Sequence, residues 1–393
     1  MRTLRPNIYS VGAIDFDATL FDRLIPLPNG TSYNSYLIVG TEKTALLDTV
    51  DPSMTEVLLS NLMKPGIDRI DYIISHHAEQ DHSGSLPDVL LMYPEAKIVT
   101  NPKCRDMLID LLSLESEKFI TVEDGQTLSL GDKTLQFVYL PWVHWPETMG
   151  TYLVEDKILF SCDFFGAHLA CSNLFMDDEA VTYISAKRYY AEIMMPFRKQ
   201  IQSNLEKLRP FSIDIIAPSH GPVHDRPEFI IDAYRQWISN EVKNEVVVAY
   251  VSMHGSTKKM AEHLVDALIE RGIKVYQFEV TTMDTGFFAM SLVDAATIVI
   301  GSPTVLVGPH PKAAYAAMLV NALRPKAKFA SIMGSFGWAG KMPEQITALI
   351  SNIKAEMLKP VIARGEPKDN DYAALDDLAE AILAKHKELG IVK

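Results

Sequence analysis

The segment His76-His77-Ala78-Glu79-Gln80-Asp81-His82-Ser83-Gly84 concentrates metal-binding side chains in one short stretch. It follows the apolar run Asp71-Tyr-Ile-Ile-Ser75, which predicts a strand, so the segment is expected to form the loop at the strand's C-terminal end. In a tight loop of this pattern, His77 and Glu79 turn toward one point, and Asp81 and His82 turn toward a neighbouring point. A polar loop rich in helix caps is the ordinary alternative, but four ligand-type side chains this close together favour a metal site.

Three later positions extend this set of candidate ligands. They are His144 in Pro141-Trp-Val-His-Trp-Pro146, Asp163 in Leu159-Phe-Ser-Cys-Asp163 and His220 in Ile215-Ile-Ala-Pro-Ser-His-Gly221. Each one alone is consistent with an ordinary buried residue. Together with the loop, they give a ligand count suited to two metal ions.

The first part of the chain, from Ile8 to about Val223, alternates short apolar runs with helical stretches. The runs predict strands at Tyr36–Val39, Thr44–Asp48, Tyr72–Ser75, Ala96–Thr100, Thr134–Tyr139, Thr151–Val154 and Lys157–Ser161. Helices are predicted at Thr55–Met63, Pro87–Met92 and Lys103–Leu112. This order indicates an αββα sandwich, in which two sheets pack together and helices cover them.

The second part, after Ala233–Asn244, alternates strands and helices strictly. Strands are predicted at Glu245–Val251, Lys274–Glu279, Ala296–Gly301, Lys328–Gly334 and Leu358–Ile362, and helices at Thr257–Arg271, Phe287–Asp294, Pro311–Leu323, Met342–Lys354 and Tyr372–Lys387. Near-continuous apolar strands in this order predict a doubly wound, five-stranded parallel sheet of flavodoxin-like size. We therefore expect two domains, residues 1–243 and 244–393.

Small polar residues follow three strands of the second domain, where doubly wound sheets bind ligands. Ser252-Met253-His254-Gly255-Ser256-Thr257 joins a strand to a helix N-terminus, which favours an anion. It resembles the flavodoxin phosphate loop, although such residues are also common helix caps. The two later segments are residues 301–306 and 334–340, and both are expected to contact the flavin ring of FMN, with Phe336 and Trp338 beside it. The candidate contacts there are Ser302, Pro303, Thr304, Val305, Leu306, Ser335, Phe336, Gly337, Trp338 and Gly340.

The His-x-Glu-x-Asp-His loop resembles that of the metallo-β-lactamase superfamily, whose usual form is His-x-His-x-Asp-His. Glu79 replaces the second histidine, and an anionic oxygen ligand favours iron over zinc. Because this form is typical of flavodiiron proteins, the chain is identified as a member of that family over essentially its whole length. The resemblance implies that His77, Glu79 and His144 hold one iron, that Asp81, His82 and His220 hold the other, and that Asp163 bridges them. His76, His168 and His224 are then structural residues or neighbours of the site.

The resemblance also implies an activity and partners. Electrons would pass from FMN to the diiron centre, which would reduce dioxygen to water or nitric oxide to nitrous oxide. An external donor, a rubredoxin or a reduced deazaflavin, would supply the electrons. The expected assembly is a head-to-tail homodimer or a dimer of dimers. Two alternatives remain: a zinc-dependent hydrolase of the same fold fused to a flavodoxin, and an electron carrier with a degenerate metal domain.

Composition limits the other function classes. The net charge of −13 argues against a nucleic-acid or anionic-membrane partner. Three scattered cysteines suit a reducing compartment, and the N-terminus has no apolar signal core. No apolar run reaches the ~18–20 residues of a membrane span. These features predict a cytoplasmic protein.

Overall fold

The computed structural model describes residues 1–64 and 68–392. The chain forms two compact units: Met1–Tyr190 with Phe197–Ile238, and Ala191–Pro196 with Ser239–Lys393. No helix in the described part of the chain combines the length and apolar character needed to cross a membrane. The division at residue 243 stays a prediction.

The first unit contains two large sheets. Its strands, in chain order β1 to β16, are Arg2–Arg5, Ile8–Ser10, Ala13–Asp15, Leu20–Phe21, Ile25–Pro26, Thr31–Tyr33, Tyr36–Val39, Thr44–Leu47, Tyr72–Ile74, Lys97–Thr100, Phe119–Thr121, Thr127–Ser129, Thr134–Tyr139, Met149–Leu153, Ile158–Cys162 and Ile215–Pro218. One sheet has the order β1-β2-β7-β8-β9-β10-β11, and the other has the order β12-β13-β14-β15-β16. Two small hairpins, β3-β6 and β4-β5, complete the set.

Helices α1 to α7 accompany these sheets. They are Thr55–Leu62, Gln80–Ser83, Leu86–Met92, Pro102–Leu112, Glu179–Tyr189, Arg198–Leu208 and Pro227–Ile238. Shorter 3-10 helices span Pro52–Met54, Ser116–Lys118 and Met195–Phe197, and a π-helix spans Tyr190–Met194.

Two hydrophobic layers stabilise the first unit. Between the sheets, Ile74 and Val99 pack with Phe137 and Phe160 of the opposite sheet. On the outer side of the first sheet, alternate residues such as Ile73 pack with residues of α1 and α4. The alternation follows from the strand period of two, which sends successive side chains to opposite faces. These layers confirm the predicted αββα sandwich.

The second unit is a doubly wound parallel sheet. Strands β17 to β23 are Lys243–Tyr250, Lys274–Glu279, Ala295–Val305, Gly308–Pro309, Phe329–Phe336, Glu356–Met357 and Val361–Arg364. Helices α8 to α12 are Ser256–Glu270, Thr285–Leu292, Pro311–Leu323, Met342–Leu349 and Asp369–Glu388. The order is β18-β17-β19-β21, followed by a fifth position that β22 and β23 share along β21. This arrangement confirms the flavodoxin-like fold.

Some predicted element bounds were wrong in this unit. The last strand was expected at Leu358–Ile362, but the structure has two short strands there, β22 and β23, separated at Pro360, which has no N–H for the sheet. The helix expected to end at Lys354 ends at Leu349. Just beyond it, the Asn352 amide donates to the side chain of Asn321 instead of to a helical carbonyl. Strand β19 continues four residues beyond its predicted end at Gly301.

Candidate functional site

The seven candidate metal ligands of the first unit converge at the ends of strands. The dense loop follows β9, His144 lies between β13 and β14, and Asp163 and His220 follow the parallel neighbours β15 and β16. Parallel neighbours end at the same sheet edge, which explains why residues 57 positions apart in sequence (220 − 163) lie together. Potential ligand atoms form one group from His77, Glu79, His144 and Asp163, and another from Asp81, His82 and His220.

In the first group, a glutamate oxygen and two imidazole nitrogens lie within contact distance. Glu79 Oε2 lies 3.1 Å from His77 Nε2 and 3.0 Å from His144 Nε2. Oδ2 of Asp163 lies 3.5 Å from His77 Nε2 and 3.6 Å from His144 Nε2. Ligand atoms held at about 2.0–2.2 Å from one metal ion are separated by about 3.0–3.6 Å, so these spacings fit a single ion.

The second group has the same dimensions and uses the other oxygen of Asp163. Oδ1 of Asp163 lies 3.0 Å from His82 Nε2 and 3.3 Å from His220 Nε2. The carboxylate of Asp81 lies 3.3 Å from His82 Nε2 and 3.1 Å from His220 Nε2. Because its two oxygens face different groups, Asp163 is placed to bridge two ions.

Several of these atoms have no hydrogen-bond partner although they are buried. They are both carboxylate oxygens of Asp81, both of Asp163, and Nε2 of His82. Buried polar atoms without partners cost about 1–3 kcal/mol each. Since these partnerless atoms and the neighbouring nitrogens and oxygens converge on shared points, the residues fit a pair of metal ions.

Tight backbone turns present the strand-end ligands. On either side of Asp163, Cys162 and Phe165 adopt left-handed φ angles of 55° and 71°. After His220, Gly221 has a φ of +80°, and a Cβ there would lie 2.7 Å from the Ala167 carbonyl oxygen. Only glycine fits that turn without strain.

Hydrogen bonds from outside the two groups orient the imidazoles. Glu147, which is 3% exposed, accepts from Nδ1 of His77 at 2.7 Å and from the Ala78 amide at 3.1 Å. The Ser32 carbonyl accepts from Nδ1 of His220 at 2.6 Å. Each contact directs the Nε2 atom toward its group. Glu147 was not predicted from the sequence, although its place just after Trp145-Pro146 and close to His144 was a usable signal.

We predict that Glu147→Gln weakens iron binding by about 10–100-fold, the usual cost of losing an outer partner of a metal-bound histidine. The neutral amide makes His77 less basic and holds its ring less firmly. Anaerobic competition with a chelator measures the affinity. Glu155→Gln is a matched control, since Glu155 also accepts a backbone N–H, from Thr134, but is exposed. Equal iron affinity in the two variants would contradict the role given to Glu147.

The three additional histidines differ in their surroundings. Both ring nitrogens of His76 are used, by Asp48 at 2.6 Å and Thr151 at 2.7 Å, so His76 is structural. The ring of His168 lies 5.0 Å from that of His220, and its Nδ1 pairs with Thr31. His224 bonds to the Phe165 carbonyl. His168 is thus the one of the three that lies beside the metal-binding groups.

The electrostatics of the groups favour cation binding. Burial alone would lower the pKa of His220, but the carboxylates of Asp163 and Asp81, at 3.3 Å and 3.1 Å from its Nε2, raise it to about 10. Burial would raise the pKa of Asp163, yet the surrounding histidines hold it well below its usual range. Without metal, protonated imidazoles therefore neutralise the carboxylates at neutral pH.

Because a metal-bound imidazole must lose its proton, iron uptake should release protons at pH 7. We expect about one proton or more per chain, detected as a calorimetric heat that depends on the buffer's ionisation enthalpy. The release from His220 should decline as the pH rises through 10, above which this imidazole is mostly neutral. The raised pKa also stabilises the metal-free fold, fully below about pH 6.5 and progressively less as the pH rises toward 10. Uptake heats that do not depend on the buffer at pH 7 would contradict this assignment.

A cavity of about 660 Å³ in the first unit reaches both groups. Glu79, Asp81 and Trp145 line it, together with Asp22 and Tyr33. Burial, followed by the charges of Glu79 and Asp81, raises the pKa of the Asp22 carboxyl. The cavity gives a small diatomic molecule access to the groups.

The second unit has its own cavity at the carboxyl ends of its strands. Ten predicted FMN contacts line it, together with Gly365, which was not predicted: Ser252, Met253, His254, Ser256, Thr257, Pro303, Thr304, Ser335, Phe336 and Gly337. Gly255, with a φ of +94°, precedes α8 and leaves the helix amides facing this space. The cavity can bind a phosphate at its helical end.

The other predicted FMN contacts do not line this cavity. The Ser302 hydroxyl is buried and accepts from the His310 amide. Leu306 and Trp338 are 93% and 77% exposed. Val305 and Gly340 also lie outside the lining. Which of these residues touch FMN stays a prediction.

Comparisons with known proteins agree with both halves of the chain. The ODP family beta lactamase model matches residues 31–221, and the Flavodoxin model matches residues 248–381. The chain is 33% identical to the nitric oxide reductase of Moorella thermoacetica, over 96% of this chain and 97% of the relative. It is 32% identical to the coenzyme F420H(2) oxidase of Methanothermobacter marburgensis, over 97% and 98%.

Solved structures extend this likeness. Rubredoxin oxygen:oxidoreductase from Desulfovibrio gigas is 30% identical, with a TM-score of 0.95 over 98% of each chain. The flavodiiron protein from Giardia intestinalis is also 30% identical, with a TM-score of 0.91 over 98% of each chain. The chain belongs to the flavodiiron protein family. Membership confirms the resemblance drawn from the His-x-Glu-x-Asp-His loop. The flavodiiron relatives span the whole chain and do not favour the zinc hydrolase alternative.

Proposed function

We propose that this chain is a flavodiiron oxidoreductase, in which FMN passes electrons to two iron ions that reduce dioxygen to water or nitric oxide to nitrous oxide. The observation that carries the proposal is the pair of nitrogen–oxygen groups that share Asp163. Each group offers two histidines and a terminal carboxylate, and Glu79 in place of a histidine favours iron. The similar oxidase and reductase named above support the two substrates.

The residues of the chain position and shield this centre. When bound, two ferrous ions supply one electron each and reduced FMN supplies two, which matches the four electrons that dioxygen requires. Asp163 would hold both ions, with one carboxylate oxygen toward each, while Glu147 and the Ser32 carbonyl fix two of the imidazoles. Five of the seven candidate ligands are buried, whereas Glu79 and His144 are partly exposed.

We further propose domains at residues 1–243 and 244–393, a cytoplasmic location, and an external donor. The similar F420H(2) oxidase and rubredoxin oxygen:oxidoreductase support a reduced deazaflavin or a rubredoxin in that role. A head-to-tail homodimer would bring the FMN of one subunit to the irons of its partner. Exposed apolar side chains near each cavity, Leu20 in the first unit and Leu306 and Trp338 in the second, support such a contact.

Metal and flavin analysis of anaerobically purified protein tests the proposal. We expect two irons and one FMN per chain, with turnover of dioxygen, nitric oxide or both when an artificial donor is supplied. Zinc in place of iron, together with failed reconstitution by ferrous iron, would overturn it. Light scattering tests the assembly, and a fully active monomer would exclude the dimer.

A further inference from the structure

Redox-active aromatic side chains form a connected group beside the metal-binding residues. Helix α5 and the residue after it contribute Tyr183, Tyr189 and Tyr190, and α7 contributes Tyr234 and Trp237. Tyrosine and tryptophan are the side chains that most readily lose one electron without metal or cofactor. We refer to these five residues as the aromatic chain.

Ring contacts connect four members of the aromatic chain, Tyr183, Trp237, Tyr190 and Tyr234, and Tyr189 precedes Tyr190 directly in the sequence. Trp237 lies 5.4 Å from Tyr183, 5.2 Å from Tyr190 and 5.2 Å from Tyr234, measured between ring centroids. Tyr190 and Tyr234 are 5.6 Å apart. Spacings of this size leave adjoining ring edges in contact, which allows an electron to move in short steps.

The inner end of the chain reaches the proposed ligands. The ring of Tyr189 lies 6.0 Å from that of His220, and its hydroxyl faces the Asp163 carboxylate. The ring of Tyr234 packs at 5.3 Å and 5.1 Å against Phe164 and Phe165, which follow Asp163 directly.

The outer end reaches the surface at Tyr183. This side chain is half-buried, while Tyr189, Tyr190, Tyr234 and Trp237 are buried. The Tyr183 hydroxyl accepts from the Trp237 indole N–H at 3.1 Å and donates to Gln236 at 3.3 Å. The chain thus connects the buried groups with a position that a dissolved reductant can approach.

We propose that the aromatic chain is an auxiliary electron path, which supplies the metal centre when dioxygen arrives and the flavin is oxidised. This inference rests on the proposed oxygen-reducing function. Packing alone does not require the hydroxyl of Tyr234, which is buried and faces the Phe165 backbone without reaching hydrogen-bonding geometry. A buried hydroxyl without a hydrogen-bond partner lowers the free energy of unfolding by about 1–3 kcal/mol. A phenylalanine would fill nearly the same space without this cost.

The electron balance defines what the path must supply. Two ferrous ions give two of the four electrons that dioxygen needs. Two tyrosines give the others, each losing one electron and its hydroxyl proton to become a neutral radical. With two protons from solvent, one dioxygen, two ferrous ions and two tyrosines yield two ferric ions, two tyrosyl radicals and two waters. A soluble one-electron reductant with a proton then restores each tyrosine through Tyr183.

The test uses protein loaded with ferrous iron and oxidised FMN, mixed with dioxygen without a donor and freeze-quenched for electron paramagnetic resonance. We expect an organic radical that ascorbate removes. In Tyr183→Phe, ascorbate should remove it about tenfold more slowly, while steady-state oxygen consumption with reduced donor is unchanged. Tyr152→Phe is the matched control, because it removes a hydroxyl bonded to Ser212 in the same unit but outside the chain.

Trp237→Phe provides a second variant, which interrupts the middle of the path. After repeated oxygen pulses, peptide mass spectrometry should find more oxidation of the ligand histidines in this variant than in the wild type. Oxygen consumption without any organic radical would overturn the inference alone, as would equal radical decay in Tyr183→Phe and Tyr152→Phe. A wild type that holds iron and FMN but consumes no oxygen would overturn the proposed function, and the inference with it.

Discussion

Asp163→Asn is expected to lose most of the iron and nearly all oxygen and nitric oxide reduction while FMN stays bound. Asp163 faces both groups, with one oxygen toward each. An amide offers one neutral oxygen and an NH₂ group that repels a cation, so it cannot bridge two ions. The loss of affinity should exceed the roughly 10–100-fold effect of removing an outer partner. Elemental analysis and the flavin absorption spectrum measure the two cofactors separately.

Asp48→Asn is the matched control for this variant. Asp48 is also buried, at 3% exposure, but it bonds to His76 and lies in neither ligand group. Asparagine tolerates its left-handed φ of 54°. Asp48→Asn should therefore keep its iron. Full iron retention in Asp163→Asn would show that the bridging position has been wrongly assigned.

Ser256→Glu is expected to weaken FMN binding by about 100-fold without changing the iron content. Ser256 is the first residue of α8 and lines the second cavity. A carboxylate there opposes the phosphate, and two unit charges 4 Å apart repel by about 4 kcal/mol near a protein surface, part of which side-chain rotation relieves. Flavin fluorescence on dilution measures the affinity.

Thr285→Glu controls for the added charge. Thr285 is the first residue of α9, so the substitution places the same carboxylate at the same helical position, away from the cavity lining. FMN affinity should stay at the wild-type value. Equal FMN affinity in Ser256→Glu and the wild type would mean that the phosphate binds elsewhere.

The sequence predicted the two folds and brought attention to the seven candidate ligands because these features have local signals. Strand periodicity, the strict alternation after residue 244 and the dense loop are all visible along the chain. The different roles of His76 and His77 are not visible along the chain, since both are buried neighbours and only the turn of the backbone decides which one faces Asp48. Glu147 and Asp22 were missed because their partners lie tens of residues away. The bounds of the last strand depended on Pro360, at which β22 and β23 are separated.

The candidate ligands extend from His77 to His220, and they meet at the ends of strands from both sheets of the first unit. During synthesis, a nascent chain whose His220 is still inside the ribosome lacks one ligand of the second group. Stable loading of both ions must therefore wait until most of the first unit has left the ribosome and folded. Completion of the metal site is therefore a late step in the maturation of this protein, which needs both sheets of the first unit in place.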